Sequence, residues 1–169
     1  MEKTCIVREL IDLSISKAIE VNHINGTTKT IEQGIKEANY HLSRQLDVPL
    51  GTKLFYIKKV RIIDGETRSV ETAHMVYNKV KGIENEDFND KSFYTILKEK
   101  TGIQPRKCKE EIMIVEPTKE EAQILGIPVE DEVMLIKGTT SIDGAEPFEY
   151  FEIVAESSFY RYKGGMSAV

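Results

Sequence analysis

The sequence predicts an α+β fold: a largely antiparallel sheet of about six strands, built from two repeated modules, with helices packed on it. Three observations carry this. Leu46–Gly65 aligns without a gap on Leu125–Gly144 at an offset of 79, with seven identities in 20 positions. Each copy ends in Asp-Gly between apolar-rich runs (Asp64-Gly65 and Asp143-Gly144), the strongest short hairpin signal. Between the copies, Asp90–Thr101 has helical spacing, with Phe93, Ile96 and Leu97 on one stripe.

The elements follow in order. Asp12–Glu20 reads as an opening helix and Thr27–Gln33 as a strand. The first module then runs through a short helix at Glu37–Gln45, a turn at Pro49, a strand up to Ile63, the Asp-Gly turn and a strand at Ser69–Val76. Asp90 is the expected N-cap of the central helix and Gly102 its stop. The second module repeats the plan: a strand at Glu110–Val115, a helix at Lys119–Ile124, a turn at Pro128, a strand up to Ile142, and a strand at Phe148–Val154. All 169 residues read as one domain, with pseudo-repeats at about 27–76 and 106–155.

Composition narrows the function. With 23 Lys+Arg against 28 Asp+Glu, the net charge is −5, which argues against direct binding of nucleic acid, since phosphate contacts need a basic face. No apolar run spans a membrane and no signal peptide opens the chain. Cys5 and Cys108 are too few for a disulfide scaffold, and three histidines form no ligand-spaced cluster, so no metal or cofactor is expected. The expected setting is cytoplasmic.

The repeat serves as an internal control for the site. Alternation on the strand before Asp64 puts Phe55, Ile57, Lys59, Arg61 and Ile63 on one face, and Leu54, Tyr56, Lys58, Val60 and Ile62 on the other. Lys59 and Arg61 are two cations on an otherwise apolar face, where the second module has Gly138 and Thr140. They read either as an anion pocket, with a planar fork from Arg and a point charge from Lys, or as solvated charges at a strand end. Glu71 depends on the turn. A two-residue turn sends it to the opposite face, whereas a three-residue turn with left-handed Gly65 puts it beside Lys59 and Arg61. Ser92, in the first turn of the central helix, reads either as a cap or as part of an anion site made with open backbone N–H groups.

At these residues the chain resembles the UTRA domain, the effector-binding part of the HutC-type branch of the GntR family of bacterial transcription regulators. The resemblance runs from about Leu13 to Tyr162. It rests on an ordered set: Leu13-Ser14, the helix and turn at Ala38–Pro49, Lys59-Val60-Arg61, Asp64-Gly65 and Glu71. There follow Ser92-Phe93-Tyr94 with Ile96-Leu97, Glu121-Ala122, Leu125-Gly126-Ile127, Val133–Thr140 and Pro147-Phe148-Glu149-Tyr150. It implies a chorismate-lyase-like fold that binds a small metabolite between its halves. In relatives that sense sugar phosphates, two cations and a helix-start serine hold the phosphate while glutamates from the two hairpins meet the rest. Carried over, the effector-binding residues are Lys59, Arg61, Glu71, Ser92 and Glu149, with Ser14 at the ligand's edge and Tyr160 on the last strand. The resemblance favours the three-residue turn.

Two departures stand out. Lys59 replaces an Arg, losing one fork. In the family's usual Arg-Gly-Asp-Arg-Tyr stretch this chain has Glu156-Ser157-Ser158-Phe159-Tyr160, where only the Tyr matches. Too few residues precede the matched region for the family's winged helix-turn-helix, so DNA would be reached only through an N-terminal domain outside this chain. The expectation is the effector-sensing, homodimerising part of a repressor, not an enzyme, with a small anionic metabolite such as a sugar phosphate as its ligand. The alternatives are a lyase on the same fold acting on an aromatic carboxylate, and a pure dimerisation module.

Overall fold

A computed structural model describes residues 6–9, 24–142 and 146–163. The opening helix expected at Asp12–Glu20, Ser14, and the second Asp-Gly pair all lie outside the described residues. Strands β2 (Gly26–Glu37), β3 (Lys53–Ile63), β4 (Glu66–Val76), β5 (Lys107–Val115), β6 (Val133–Ser141) and β7 (Pro147–Glu156) form one antiparallel sheet in the order β2-β3-β4-β7-β6-β5. A short β1 (Ile6–Glu9) pairs parallel with β8 (Tyr160–Lys163). The described helices are α1 (Tyr40–Leu46), α2 (Phe93–Thr101) and α3 (Lys119–Leu125). Each half of the sheet runs strand, helix, strand, strand, and the two halves meet at the β4–β7 pair, where Thr72 faces Glu152.

Local chemistry sets the helix ends. Asn39 caps α1 by accepting from the Leu42 N–H at 2.9 Å, so this helix starts later than the expected Glu37, and β2 continues up to that residue. Thr118 and Glu121 form a reciprocal capping box on α3, and left-handed Gly126 (φ 69°) ends it. The expectation for Asp90 fails. Asp90 sits outside α2 at φ 52°, and its carboxylate accepts from the Thr28 N–H at 2.8 Å while its own N–H donates to the Thr28 carbonyl at 3.0 Å. Ser92 takes the N-cap place instead, and Gly102 closes the helix as expected (φ 73°).

The first hairpin resolves the turn question in an unforeseen way. Ile63 pairs with Glu66, so the loop is the two residues Asp64 and Gly65, both left-handed at φ 53° and 80°. The register then slips: Ile62 faces Thr67 but Arg61 faces Ser69, leaving Arg68 as an extra bulged residue. The bulge restores the parity that the three-residue turn was expected to supply. Lys59 therefore faces Glu71.

Both faces of the sheet are apolar at their ends. On one face, Phe55 and Ile57 pack with Met75, Phe88, Ile96, Leu97 and Phe148 beneath α2, while Ile63, Ile136, Ile153, Phe159 and Tyr160 form a second cluster. On the other, Leu54 and Leu42 pack under α1, and Val60, Val70 and Leu125 under α3. Each fully buried Phe or Leu contributes on the order of 1.5–3 kcal/mol by leaving water. Lys59 and Arg61 sit between the two clusters of the first face.

Two consequences are testable. A methyl group on Gly138 would lie 2.2 Å from the Lys109 carbonyl oxygen and 3.0 Å from the Phe151 ring. Gly138→Ala is therefore expected to lower stability by about 1–3 kcal/mol in urea denaturation, because backbone must move. His74 is buried between Tyr56 and Tyr150, with both ring nitrogens lacking partners among the described residues. Burial, with Lys36 and His41 nearby, lowers its value from the ordinary 6.5 to about 3. The folded state thus holds the neutral ring and the unfolded state takes up the proton. Stability from this residue is complete above pH ~6.5 and falls as the pH drops towards 3, by up to about 1.4 kcal/mol per pH unit. His74→Phe is expected to flatten that part of the stability–pH curve.

Candidate functional site

The site lies on the face shared by Phe55 and Ile57, at the middle of the sheet. β3 supplies Lys59 and Arg61, β4 supplies Ser69 and Glu71, β7 supplies Glu149, and β2 supplies Thr28. Lys59, Arg61, Ser69 and Glu149 are all buried, and Glu71 is half-buried. Charges placed between two apolar clusters need partners, since an unpaired buried ion costs several kcal/mol.

Arg61 and Glu71 answer that need with a two-pronged pair. Arg61 Nε donates to Glu71 Oε1 at 2.7 Å and Nη2 to Oε2 at 3.1 Å, while Nη1 donates to Thr28 Oγ1 at 3.1 Å. Ser69 Oγ adds a longer bond to Glu71 Oε1, at 3.4 Å. Burial alone would raise the Glu71 value, but Arg61, then Lys59, hold it below the ordinary carboxylate range. Glu71 is the counterion of Arg61.

Lys59 is treated differently. It forms no hydrogen bond or ion pair among the described residues; its Nζ lies 5.8 Å from the centroid of the Phe93 ring, the first residue of α2. Burial holds its value below that of an ordinary lysine, partly offset by Glu71 and, more weakly, Glu149.

Glu149 has no ion pair among the described residues. Its Oε2 accepts from the Tyr94 hydroxyl at 2.7 Å, and burial raises its value despite that bond. The Thr140 hydroxyl lies beside this pair, fully buried, close enough to lower the Glu149 value but without a hydrogen bond of normal geometry. The two glutamates therefore titrate in opposite senses. The Glu71 contribution to stability is lost as pH falls below the carboxylate range, and that of Glu149 is lost as pH rises through its raised value.

Of the residues singled out in the sequence, Lys59, Arg61, Glu71 and Glu149 come together. Tyr160 is buried in the neighbouring apolar cluster and couples electrostatically to Arg61. Ser92 starts α2, but its side chain makes no capping bond. Sequence reasoning missed Tyr94, Thr28 and Thr140. Tyr94 offered a signal, a polar-tipped aromatic beside the apolar stripe of α2. Thr28 offered none, because only the β2–β3 register brings it opposite Arg61. In the second module, the place of the Lys59–Glu71 pair is taken by Gly138 facing Phe151.

The UTRA domain model matches residues 22–161. The HTH-type transcriptional repressor NagR of Bacillus subtilis (strain 168) is 25% identical over 135 residues, covering 80% of this chain and 55% of that protein. The HTH-type transcriptional regulator YydK of the same organism is 23% identical over 134 residues, covering 79% and 56%. The chain thus spans about half the length of the curated relatives it matches. The crystal structure of the effector domain of PhnF from Mycobacterium smegmatis superposes with a TM-score of 0.87 at 18% identity, covering 96% of this chain and all of that one. That likeness shows the fold.

Glu71→Gln leaves the Arg61 charge buried without its counterion and is expected to cost about 3–5 kcal/mol in chemical denaturation. The double variant Arg61→Met/Glu71→Leu is expected to recover most of that loss, because the two charges leave the interior together.

Proposed function

The chain belongs to the UTRA domain family, the effector domains of GntR-type transcriptional regulators, and on that premise we propose that it senses a small anionic metabolite at the Lys59–Arg61–Glu71–Glu149 cluster. The observation that carries this reading is Lys59, a buried ammonium with no hydrogen bond or ion pair among the described residues, set over the ring of Phe93, the first residue of α2. A folding core has no use for such a cation. A site that exchanges part of its charge with a ligand does.

Supporting groups have separate roles. Lys59, with Ser92 at the start of α2, attracts the anionic end. Glu149, relayed through Tyr94, accepts from hydroxyl or N–H groups elsewhere on the ligand. Glu71 is held ionised by Arg61 and faces Lys59 across the β3–β4 pair. Because Tyr94 belongs to α2 and Glu149 to β7, a ligand that competes for this hydrogen bond acts on the seating of α2 over the sheet. That provides two arrangements whose balance a ligand can shift. In the whole protein, this shift would pass through a homodimer to DNA-binding heads carried on another part of the chain. The matched relatives are regulators, which supports sensing over catalysis. No helix among the described residues is long and apolar enough to cross a membrane. We place the protein in the cytoplasm, where such regulators work.

A thermal-shift screen of sugar phosphates, amino-acid derivatives and other small organic anions tests the reading. At least one class is expected to raise the melting temperature, with about 2.7 kcal/mol of stabilisation at a hundred times its Kd. Lys59→Met is expected to abolish that shift. No stabilisation by any class would overturn the proposal.

A further inference from the structure

The face of the sheet opposite the effector cluster carries a separate opening. Beside α1 and strands β5, β6 and β7 lies a cavity of about 440 Å³, with Gln45, Lys109, Glu111, Lys137, Thr139 and Tyr150 in its lining. None of these residues belongs to the Lys59–Arg61–Glu71–Glu149 cluster. Alternation keeps the two places apart. Tyr150 follows Glu149 on β7 and Thr139 precedes Thr140 on β6, so the members of each pair point to opposite faces. Packed protein interiors leave few voids larger than a water molecule, and an opening of this size is in the range that small ligands fill.

Tyr150 is a fixed wall of the cavity. It is 2% exposed, its hydroxyl donates to Glu152 at 2.5 Å and meets His41 Nε2 at 3.3 Å, and the His74 ring stacks on it with centroids 6.5 Å apart. The strand register sets polar side chains beside it in two rows. In the first, Tyr150 faces Thr139 and Thr139 faces Lys109. Two residues along, Glu152 faces Lys137 and Lys137 faces Glu111. The first row, with Gln45 of α1, offers a hydroxyl, an ammonium and an amide, none of them engaged by another side chain among the described residues. The second row offers carboxylates. Lys137 Nζ lies 3.6 Å from Glu111 Oε2, beyond hydrogen-bond reach, so Glu111 keeps its capacity to accept.

Charge and spacing define the guest. Lys109 and Lys137 balance Glu111 and Glu152, so a molecule without net charge leaves that balance intact. Rows two residues apart on a strand are separated by about 6.6 Å. An ammonium and a carboxylate joined through one carbon reach the acceptors of one row and the donors of the other across that gap.

We propose that this cavity is a second binding site and that it takes a free α-amino acid, whose carboxylate is held by Lys109, Thr139 and Gln45 and whose ammonium is held by Glu111. The site stands on its own residues and does not depend on the effector reading.

The test is NMR on the chain as it stands. The Gln45 side-chain amide and the backbone amides of Lys109, Glu111 and Thr139 are followed while each of the common L-amino acids is added separately, at neutral pH and constant ionic strength. At least one is expected to move these signals saturably. Its N-acetyl derivative, which lacks the ammonium, and its carboxamide, which lacks the carboxylate, are each expected to bind about tenfold more weakly or worse. Lys109→Met and Glu111→Gln, both at exposed positions, are each expected to raise the Kd about tenfold. The proposal is overturned if no amino acid gives a saturable response, or if either derivative binds as tightly as its parent. It is equally overturned if both variants leave the Kd within about twofold. Shifts confined to the Phe93 and Tyr94 amides would put the amino acid at the effector cluster, which overturns the second site and leaves the effector reading standing.

Discussion

The buried pair of Arg61 and Glu71 is the constraint around which this sheet is arranged. An arginine between two apolar clusters is tolerable only if a carboxylate shares its dry surroundings. Glu71 does so because a single bulged residue, Arg68, resets the alternation of β4. Without it, Ser69 and Glu71 would both face the opposite side of the sheet, and of its present hydrogen-bond partners Arg61 would keep only Thr28. Thr28 extends the dependence outward. Its hydroxyl receives Arg61, while its backbone both donates to and accepts from Asp90. One residue of β2 thus links the ion pair to the segment that delivers α2.

The two carboxylates of the site show how environment differentiates one residue type. Glu71 has a bidentate guanidinium and stays ionised; Glu149 has a phenol and burial, which favour the neutral acid. Lys59 feels both carboxylates, Glu71 more strongly than Glu149. The other module fills the corresponding volume with Phe151 packed on Gly138, where even a methyl would meet backbone. The cluster thus draws its charges from β3, β4 and β7, with Phe151 packed on Gly138 beside it.

Much of the fold was legible because its signals are local. Asp64-Gly65 between alternating strands specified a hairpin, Gly102 and Gly126 ended helices, and the apolar stripe of α2 faced the core as its spacing required. The errors share a cause. Asp90 has the chemistry of an N-cap, but its carboxylate is taken by an N–H 62 positions away, and a competing long-range partner is invisible to any local rule. The hairpin loop was read through its turn length, whereas its parity was set by a bulge further along β4. Tyr94 escaped notice because its partner, Glu149, lies on a strand 55 positions later.

By itself, the sequence determined the order of the six strands of the main sheet and of α1–α3, the faces of β3, and Lys59, Arg61 and Glu71 as residues to watch, with Glu149 added by the family resemblance. Alternation, turn chemistry and repeat comparison act over a few residues and need no knowledge of what lies opposite. Only the tertiary structure decided that Arg61 is already paired, that Lys59 is not, and that Glu149 answers to a tyrosine. Those outcomes depend on which groups share one water-poor volume, where desolvation makes each charge seek the nearest partner whatever its distance along the chain.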